Sequence, residues 1–472
     1  MSSVPAFSLN LAPGIKTRSL GVKLIVVCVL ALIMMIPAFF VGSLIDDRTS
    51  RAADVVKEIS GYVGGQQTFL GPTLAISYTI PPRSQRDPTY HGIYLVFPTR
   101  ATAVLKSSTE ERRRSLFKVP VFQADLQLNG AFDLTGVPAA PPPNAELDWS
   151  RSELLVGVSD ARGALADATL TANGKTSTMV PAEISQNLSI HQDQNTQIQL
   201  TLFGAKVQDL SKPNAQFEVT SGLRFSGAQR IALLAYGKST HFAAQGDWPN
   251  PGFDGGFLPV SRPVSNNGFS AEWSVPFIAR GVRAEGPWSE SVTGLGSTAL
   301  GISFVEVADL YQSVDRSIKY LPLFLGLVFL SYFIFETTTG KPVHPAQYIL
   351  VGIAQLIFYL LLLSLAERIG FGCGFFIAGA ATVILLAANA AWIFASKLQG
   401  VRALASFGLL YTLIYLLLRL EDNALLVGAI ASFLAVAAAM YFTRSLDWYG
   451  SSTAKSNPAS DIPLTGVKNA IE

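Results

Sequence analysis

Charge is what this sequence has least of. Of its 472 residues only 14% are Asp, Glu, Lys or Arg, where a soluble domain carries about 25%. Cysteine is scarcer still, at two residues, so no disulfide framework staples a chain of this size. Cys28 and Cys373 both fall in apolar runs, and an oxidising compartment finds no thiol pair in the rest. The four histidines (His91, His191, His241 and His344) lack metal-ligand spacing. HExxH and GxSxG motifs are missing. Gly174-Lys175-Thr176 and Gly237-Lys238-Ser239 look like the ends of phosphate loops, but Thr169 and Ala232 stand where the first glycine belongs. Without that glycine turn, backbone amides do not cradle a phosphate. The net charge of +2 offers nothing to hold nucleic acid. No catalytic residue, cofactor or metal is therefore assigned, and the chain reads as a non-enzyme. A carboxylate pair for glycoside cleavage needs only proximity in space, so a wall-cleaving enzyme stays open as an alternative.

What is abundant is apolar surface: 49% hydrophobic residues and a mean hydropathy of +0.36. Leu24 to Ile45 is 22 residues without a charge, about 33 Å as a helix, enough for a hydrocarbon core of about 30 Å. It is too long for the apolar region of a cleaved signal peptide, and it reads as an uncleaved anchor in which Pro37 is a potential kink. Five more spans follow some 275 residues later: Tyr320 to Phe335, Ala346 to Ala366, Ile369 to Ser396, Ala403 to Leu418 and Ala424 to Thr443. Counting Lys and Arg orients them. With the N-terminus inside, the inner segments hold nine (Lys16, Arg18, Lys23, Lys341, Lys397, Arg402, Arg444, Lys455 and Lys468), and the short outer loops hold only Arg368 and Arg419. Both termini are expected in the cytoplasm. The tail from Ser451 is polar, with two prolines, and reads as disordered.

Residues 46–319 hold 24 Lys and Arg against 26 Asp and Glu. Alternation dominates in Val119–Leu128, Gln197–Phe203 and Gln216–Thr220, with further strands around Ile76, Tyr94 and Ile231. Asn129-Gly130, Asn173-Gly174 and Asn267-Gly268 supply turn signals. Ala139 to Pro143 is a proline-rich connector. Both ends read as helices: Ala52, Val55, Val56, Ile59 and Val63 recur at helical spacing until Gly64-Gly65, as do Leu310, Tyr311, Val314, Ile318 and Leu321. They are expected to continue the membrane helices outward as a stalk, pairing Val55, Val56 and Ile59 with Val314 and Ile318. The alternative is two separate helices packed on the domain. The whole is an α+β membrane protein: an inner tail (1–21), an anchor helix (22–45), a large β-rich domain (46–319), a five-helix bundle (320–443) and an inner tail (444–472).

Several stretches resemble the bacterial inner-membrane CreD family. They are Leu44-Ile-Asp-Asp-Arg48, Gln66-Gln-Thr-Phe-Leu-Gly-Pro-Thr-Leu74, Tyr90-His-Gly-Ile-Tyr94, Val119-Pro-Val-Phe122, Trp248-Pro-Asn-Pro-Gly-Phe253, Gly256-Phe-Leu-Pro259 and Gly268-Phe-Ser-Ala-Glu-Trp273. In the membrane part they are Tyr320, Val343-His-Pro-Ala-Gln-Tyr348, Glu421-Asp422 and Asp447-Trp-Tyr449. The likeness runs in order from about residue 20 to 449. It implies a Gram-negative-type inner membrane, a periplasmic domain and a role in envelope integrity or stress. It implies no catalytic residues.

Candidate contact residues remain. Trp248, Phe253, Phe257 and Leu258 sit in a stretch whose three prolines and three glycines predict a loop. They either plug the β layers or form a partner-contact patch. His344 before Pro345 reads as a helix start, or as a lipid-headgroup contact. Glu421-Asp422 reads as a solvated loop, or as a weak divalent site. Trp448 with Tyr449 fits an interfacial anchor. Gln355 and Asn389 are strongly polar within spans, read first as interhelical glue. Gly370, Gly374, Ala378 and Ala381 suggest a small-residue packing face. Every Lys, Arg, Asp and Glu sits at a span edge, which argues against ion-coupled transport. Beside the lipid bilayer, the expected partner is a periplasmic envelope protein, a lipid or peptidoglycan. The competing function is lipid or small-molecule handling, with the domain as receptor. A charged or water-filled cavity among the five helices favours that alternative, and a dry, tightly packed bundle favours the integrity role.

Overall fold

The computed structural model describes residues 20–82, 88–114, 117–139, 141–191, 197–207, 212–304, 310–419 and 424–444. They form an N-terminal apolar helix, a β-rich middle and a C-terminal set of apolar helices. Two compact units divide at Asp47/Arg48 and again at Asp309/Leu310. The first helix, α1 (Leu20–Val63), is 44 residues long and runs through Pro37 without interruption. Gly64 (φ +95°) and Gly65 (φ +60°) end it. A Cβ at Gly64 would stand 2.5 Å from the Gly163 backbone, so only glycine fits there.

Two sheets make up the β-rich unit. The larger has ten strands and centres on Gln67–Ile80, which pairs with Tyr90–Val96, Glu146–Val158 and, in parallel, Arg230–Leu234. The second has eight strands and centres on the long hairpin Arg100–Arg114/Phe117–Asp133, flanked by Gln216–Ala228 and by the parallel strand Ser239–Gly246. Alternation explains the second sheet. Phe217, Val219, Leu223 and Phe225 point inward while their neighbours face out. It does not explain Gln67–Ile80, which is buried along nearly its whole length and so has no polar face to show. Tyr236 pins the two sheets together. It follows Arg230–Leu234, and its hydroxyl donates to Thr102 O (3.1 Å) and Asn129 O (2.9 Å) of the other sheet. The last turns of α1 join this unit, where Val56, Ile59 and Val63 pack on Val119, Val121 and Ala228.

Two local expectations are corrected and one holds. Asn129-Gly130 is no turn but the interior of a strand, held by pairing to Thr220 and Val219 on one side and to Thr102 and Ala101 on the other. Asn173-Gly174 does turn, with both φ positive. The stretch after Trp248 is not loop throughout. Pro251–Gly255 is a strand on Ala299–Phe304, at the edge of its sheet, where a proline at the first position forfeits no ladder bond.

Two single-turn helices, α2 (Phe277–Arg280) and α3 (Trp288–Ser291), belong to the β-rich unit. The other unit holds α4 (Leu310–Lys319), α5 (Leu321–Thr339), α6 (Pro345–Ile369), α7 (Phe371–Ile393), α8 (Lys397–Arg419) and α9 (Ala424–Thr443). Five described helices are long and apolar enough to cross a membrane: α1 and α5 to α8. α9 adds 20 residues without a charge. The segment ahead of α5 does not continue it. Pro322 lacks the N–H that would carry the helical ladder across, and Tyr320 stands between the two helices. α4 therefore turns aside and packs against α5, α6, α7 and α8, burying Val314 in one cluster with Val41 and Ile45 of α1. The charge-free run from Ile369 to Ser396 is also divided. Ile369 ends α6, Gly370 makes the joint at φ +84°, and α7 stops at Ile393. Of the small-residue face, Gly374 and Ala378 are buried and Ala381 is exposed. A Cβ at Gly374 would come within 2.8 Å of Ala366 N, so α6 and α7 touch there.

Candidate functional site

The strongest concentration of polar groups in an apolar setting lies inside the helical unit, in two tiers. The inner tier is built on Glu336, in the last turn of α5 and only 5% exposed. Its carboxylate accepts from Lys23 Nζ of α1 (2.6 Å), from Val343 N (3.0 Å) and from the Tyr348 hydroxyl of α6 (3.0 Å). One turn earlier, Tyr332 donates to Leu386 O of α7 (2.9 Å) and receives Asn389 Nδ2 (3.3 Å). Lys341 closes the tier by donating to Phe394 O. Four helices thus meet on one carboxylate and its neighbours. Three donors, one of them charged, satisfy the acid, as burial of a carboxylate requires.

The middle tier lies two turns along α6. Gln355, 1% exposed, accepts from the Tyr411 hydroxyl of α8 (3.1 Å). Thr382 of α7 donates to Ala378 O (2.9 Å). Gln355 Nε2 and the hydroxyl of Tyr359, one turn further, are buried without a partner among the described residues. Aromatic rings fill the space around both tiers: Phe324 and Phe358 lie 4.8 and 4.9 Å from Tyr411, and Phe407 stacks 5.5 Å from Tyr332.

Sequence reasoning singled out Gln355 and Asn389 and found their surroundings only in part. It placed Glu336 and Lys23 at span edges and did not join them. The signal was an acid at the end of one span and a lysine at the start of another. His344 is exposed, and its Nδ1 accepts from Ala346 N (3.2 Å) as the cap of α6. Glu421, Asp422 and Trp448 lie outside the described residues.

The aromatic stretch of the β-rich unit is placed as follows. Trp248 is 9% exposed, its indole N–H donating to Asn250 O (3.1 Å) and its ring meeting Phe304 edge-on at 6.3 Å. Phe253 leans on Phe269 (6.1 Å) and Trp273 (5.8 Å). Phe257 packs on the core, and its carbonyl accepts from Trp273 Nε1 (3.0 Å). Leu258 stands out, 61% exposed. Nearby, an open groove of about 590 Å³ is lined by Lys106, Ser107, Asp247, Asn267, Phe269 and Ser270, among others. Among the described residues no three His, Cys, Asp or Glu side chains gather as metal ligands would.

Several charged side chains in this unit are held by fixed partners. Arg280 stacks 4.2 Å over Phe97 and donates to Ala235 O (2.8 Å), and burial lowers it only to about 10, so it stays charged at neutral pH. Burial pushes the Asp254 carboxyl up, but hydrogen bonds from Arg230 and Ser303 outweigh it, and the net position is below the ordinary value of 3.8. A hydrogen bond from Arg162 holds Asp160 down against burial. Depressed carboxylates stabilise the fold above their unfolded pKa and lose that contribution as pH falls through the folded one. Acid titration of the protein, followed by tryptophan fluorescence, is therefore expected to show β-domain loosening only below about pH 4. Loosening that begins near pH 6 would contradict the assignment.

Comparison with known proteins covers nearly the whole chain. The family model described as "Inner membrane protein CreD" matches residues 19–449. The protein described as inner membrane protein CreD of Escherichia coli (strain K12) is 28% identical over 440 residues, which is 91% of this chain and 94% of that one.

Proposed function

This chain belongs to the inner membrane protein CreD family, and from that premise we propose that it supports cell-envelope integrity, or the response to envelope stress, through its β-rich domain and without catalysing a reaction. The domain works on the periplasmic side, and both termini lie in the cytoplasm. The nine inner Lys and Arg against two in the short outer loops support that orientation. The observation that carries the reading is the filling of the bundle. Phe324, Phe329, Tyr332, Phe333, Phe358, Tyr359 and Phe407 are all essentially buried within it, and the Glu336 carboxylate is tied to Lys23, Tyr348 and Val343. A membrane part packed in this way suits a scaffold that holds a domain in place. The partner is a periplasmic protein, a lipid or peptidoglycan met by that domain. The open groove beside Lys106 and Asp247 favours a second reading, in which the domain receives a small molecule or lipid.

Photo-crosslinkers placed along the β-rich domain in living cells test the choice. Capture of a defined envelope protein or of peptidoglycan supports the first reading. Capture only of lipid or small molecules at the groove supports the second. Orientation is tested separately: a reporter active only in the periplasm is expected to be active when fused after Ser150 and silent after Gly450. The opposite pair of results removes the proposed placement.

A further inference from the structure

The middle tier of the bundle carries polar groups that the bundle does not satisfy. Gln355 is 1% exposed and Tyr359 is fully enclosed. Among the described residues, Gln355 Nε2 and the Tyr359 hydroxyl have no hydrogen-bond partner. Exchanging the amide oxygen and nitrogen of Gln355 does not cure this, because Tyr411 reaches only one of the two atoms. Tyr359 lies one turn beyond Gln355 on the same face of α6, so the two unpartnered side chains are neighbours along it. An unpaired donor buried away from water costs roughly what a lost hydrogen bond costs, and a hydrocarbon surround offers no substitute. Leucine and phenylalanine fill the same volume without that penalty, as Phe358 and Leu362 do beside them.

We propose that Gln355, Tyr359 and Tyr411 form a binding site for one internal water molecule between α6 and α8, at the level of Thr382 of α7. The ligand class follows from the donor set and its surround. The rings of Phe324, Phe358 and Phe375 pack around Tyr411 at 4.8, 4.9 and 6.5 Å between centroids, an enclosure that favours the smallest ligand able to pair with these groups. Water both accepts and donates, and buried waters typically make about three hydrogen bonds to otherwise unsatisfied groups. Gln355 is then a water ligand as well as an interhelical contact, and Tyr359 is a second ligand that the apolar run around it does not mark.

Hydroxyl-radical labelling by X-ray radiolysis, applied to the full chain in lipid nanodiscs, tests this. Radicals generated from a bound internal water oxidise the side chains that touch it, even where bulk solvent does not reach. Tyr359 and Tyr411 are expected to be oxidised, while Phe329 and Phe407, equally buried but packed on Tyr348 and Tyr332, stay unmodified. In Gln355→Leu, or in Gln355→Met where the leucine variant does not fold, oxidation of Tyr359 is expected to vanish. Tyr359 and Tyr411 as unreactive as Phe329 would overturn the site. Oxidation of Tyr359 that persists unchanged in the folded Gln355 variant would overturn it equally, since Gln355 would then hold nothing.

Discussion

Lys23→Met is expected to destabilise the helical unit by about 3 kcal/mol, the low end of the cost of breaking a buried ion pair. Methionine keeps the length and apolar stem of lysine but withdraws the cation from Glu336. The carboxylate then stays buried with only Val343 N–H and the Tyr348 hydroxyl as donors. The low end applies because the Lys23 side chain is 31% exposed, against 6% for Glu336. That asymmetry predicts an order. Glu336→Gln is expected to cost less than Lys23→Met, because an orphaned lysine at the membrane edge extends its amine toward water, whereas an orphaned glutamate on α5 has no such reach. Exchange of the charges, Lys23→Glu with Glu336→Lys, is expected to give no rescue. Val343 N–H and Tyr348 O–H both donate, and a lysine at 336 accepts nothing. The pair Lys23→Met with Glu336→Gln is expected to recover part of the loss, which a double-mutant cycle on melting in detergent measures. Equal melting of Lys23→Met and the unmodified protein would show that the pair holds nothing together.

How far the sequence discloses this molecule depends on what each element has to hide. Charge-free runs of 20 or so residues are visible because lipid tolerates nothing else. Strands such as Gln216–Ala228 are visible because one face meets solvent, and Phe217, Val219 and Leu223 alternate with Gln216, Glu218 and Thr220. Gln67–Ile80 has no such face; its pattern shows as strand only around Ile76, and its first half stood out through the family motif alone. Asn129-Gly130 carries a turn signature, yet the ladders on both sides supply more hydrogen bonds than a turn would. The helix at Leu310 to Lys319 shows its periodicity plainly, but the direction it takes is set by Pro322 at the start of the next helix. Least legible was the inner polar tier. Lys23 and Glu336 are 313 positions apart, and each alone looks like an ordinary end of a span. A pairing over that separation is a property of the fold, and no local pattern announces it. The family likeness was legible over nearly the whole chain, and it named no site to look for.

Joint replacement of Trp248 and Phe253 by alanine is expected to collapse the β-rich domain and deplete the protein from the membrane. Trp248 is nearly enclosed against Phe304 on the strand Ala299–Phe304. Phe253 sits on the neighbouring edge strand and leans on Phe269 and Trp273 of the other sheet. Together they close one end of the space between the two sheets. Truncating a buried Phe or Trp to alanine typically costs about 3–5 kcal/mol. Phe253 is half-buried and falls below that range, but the two rings share neighbours, so the losses are not independent. A domain stability of about 5–15 kcal/mol leaves little after both. Leu258→Ser, ten residues on and mostly exposed, is the matched control and is expected to change stability by no more than about 0.5 kcal/mol. Protein abundance and protease resistance in membrane fractions read the difference. Normal abundance of the double variant with loss of crosslinked partner would move Trp248 and Phe253 from the core to a contact surface, whose energy concentrates in such aromatic side chains. Normal abundance with full function would mean that neither packing nor recognition depends on these rings, and that the edge strand Pro251–Gly255 is held by its ladder to Ala299–Phe304 alone.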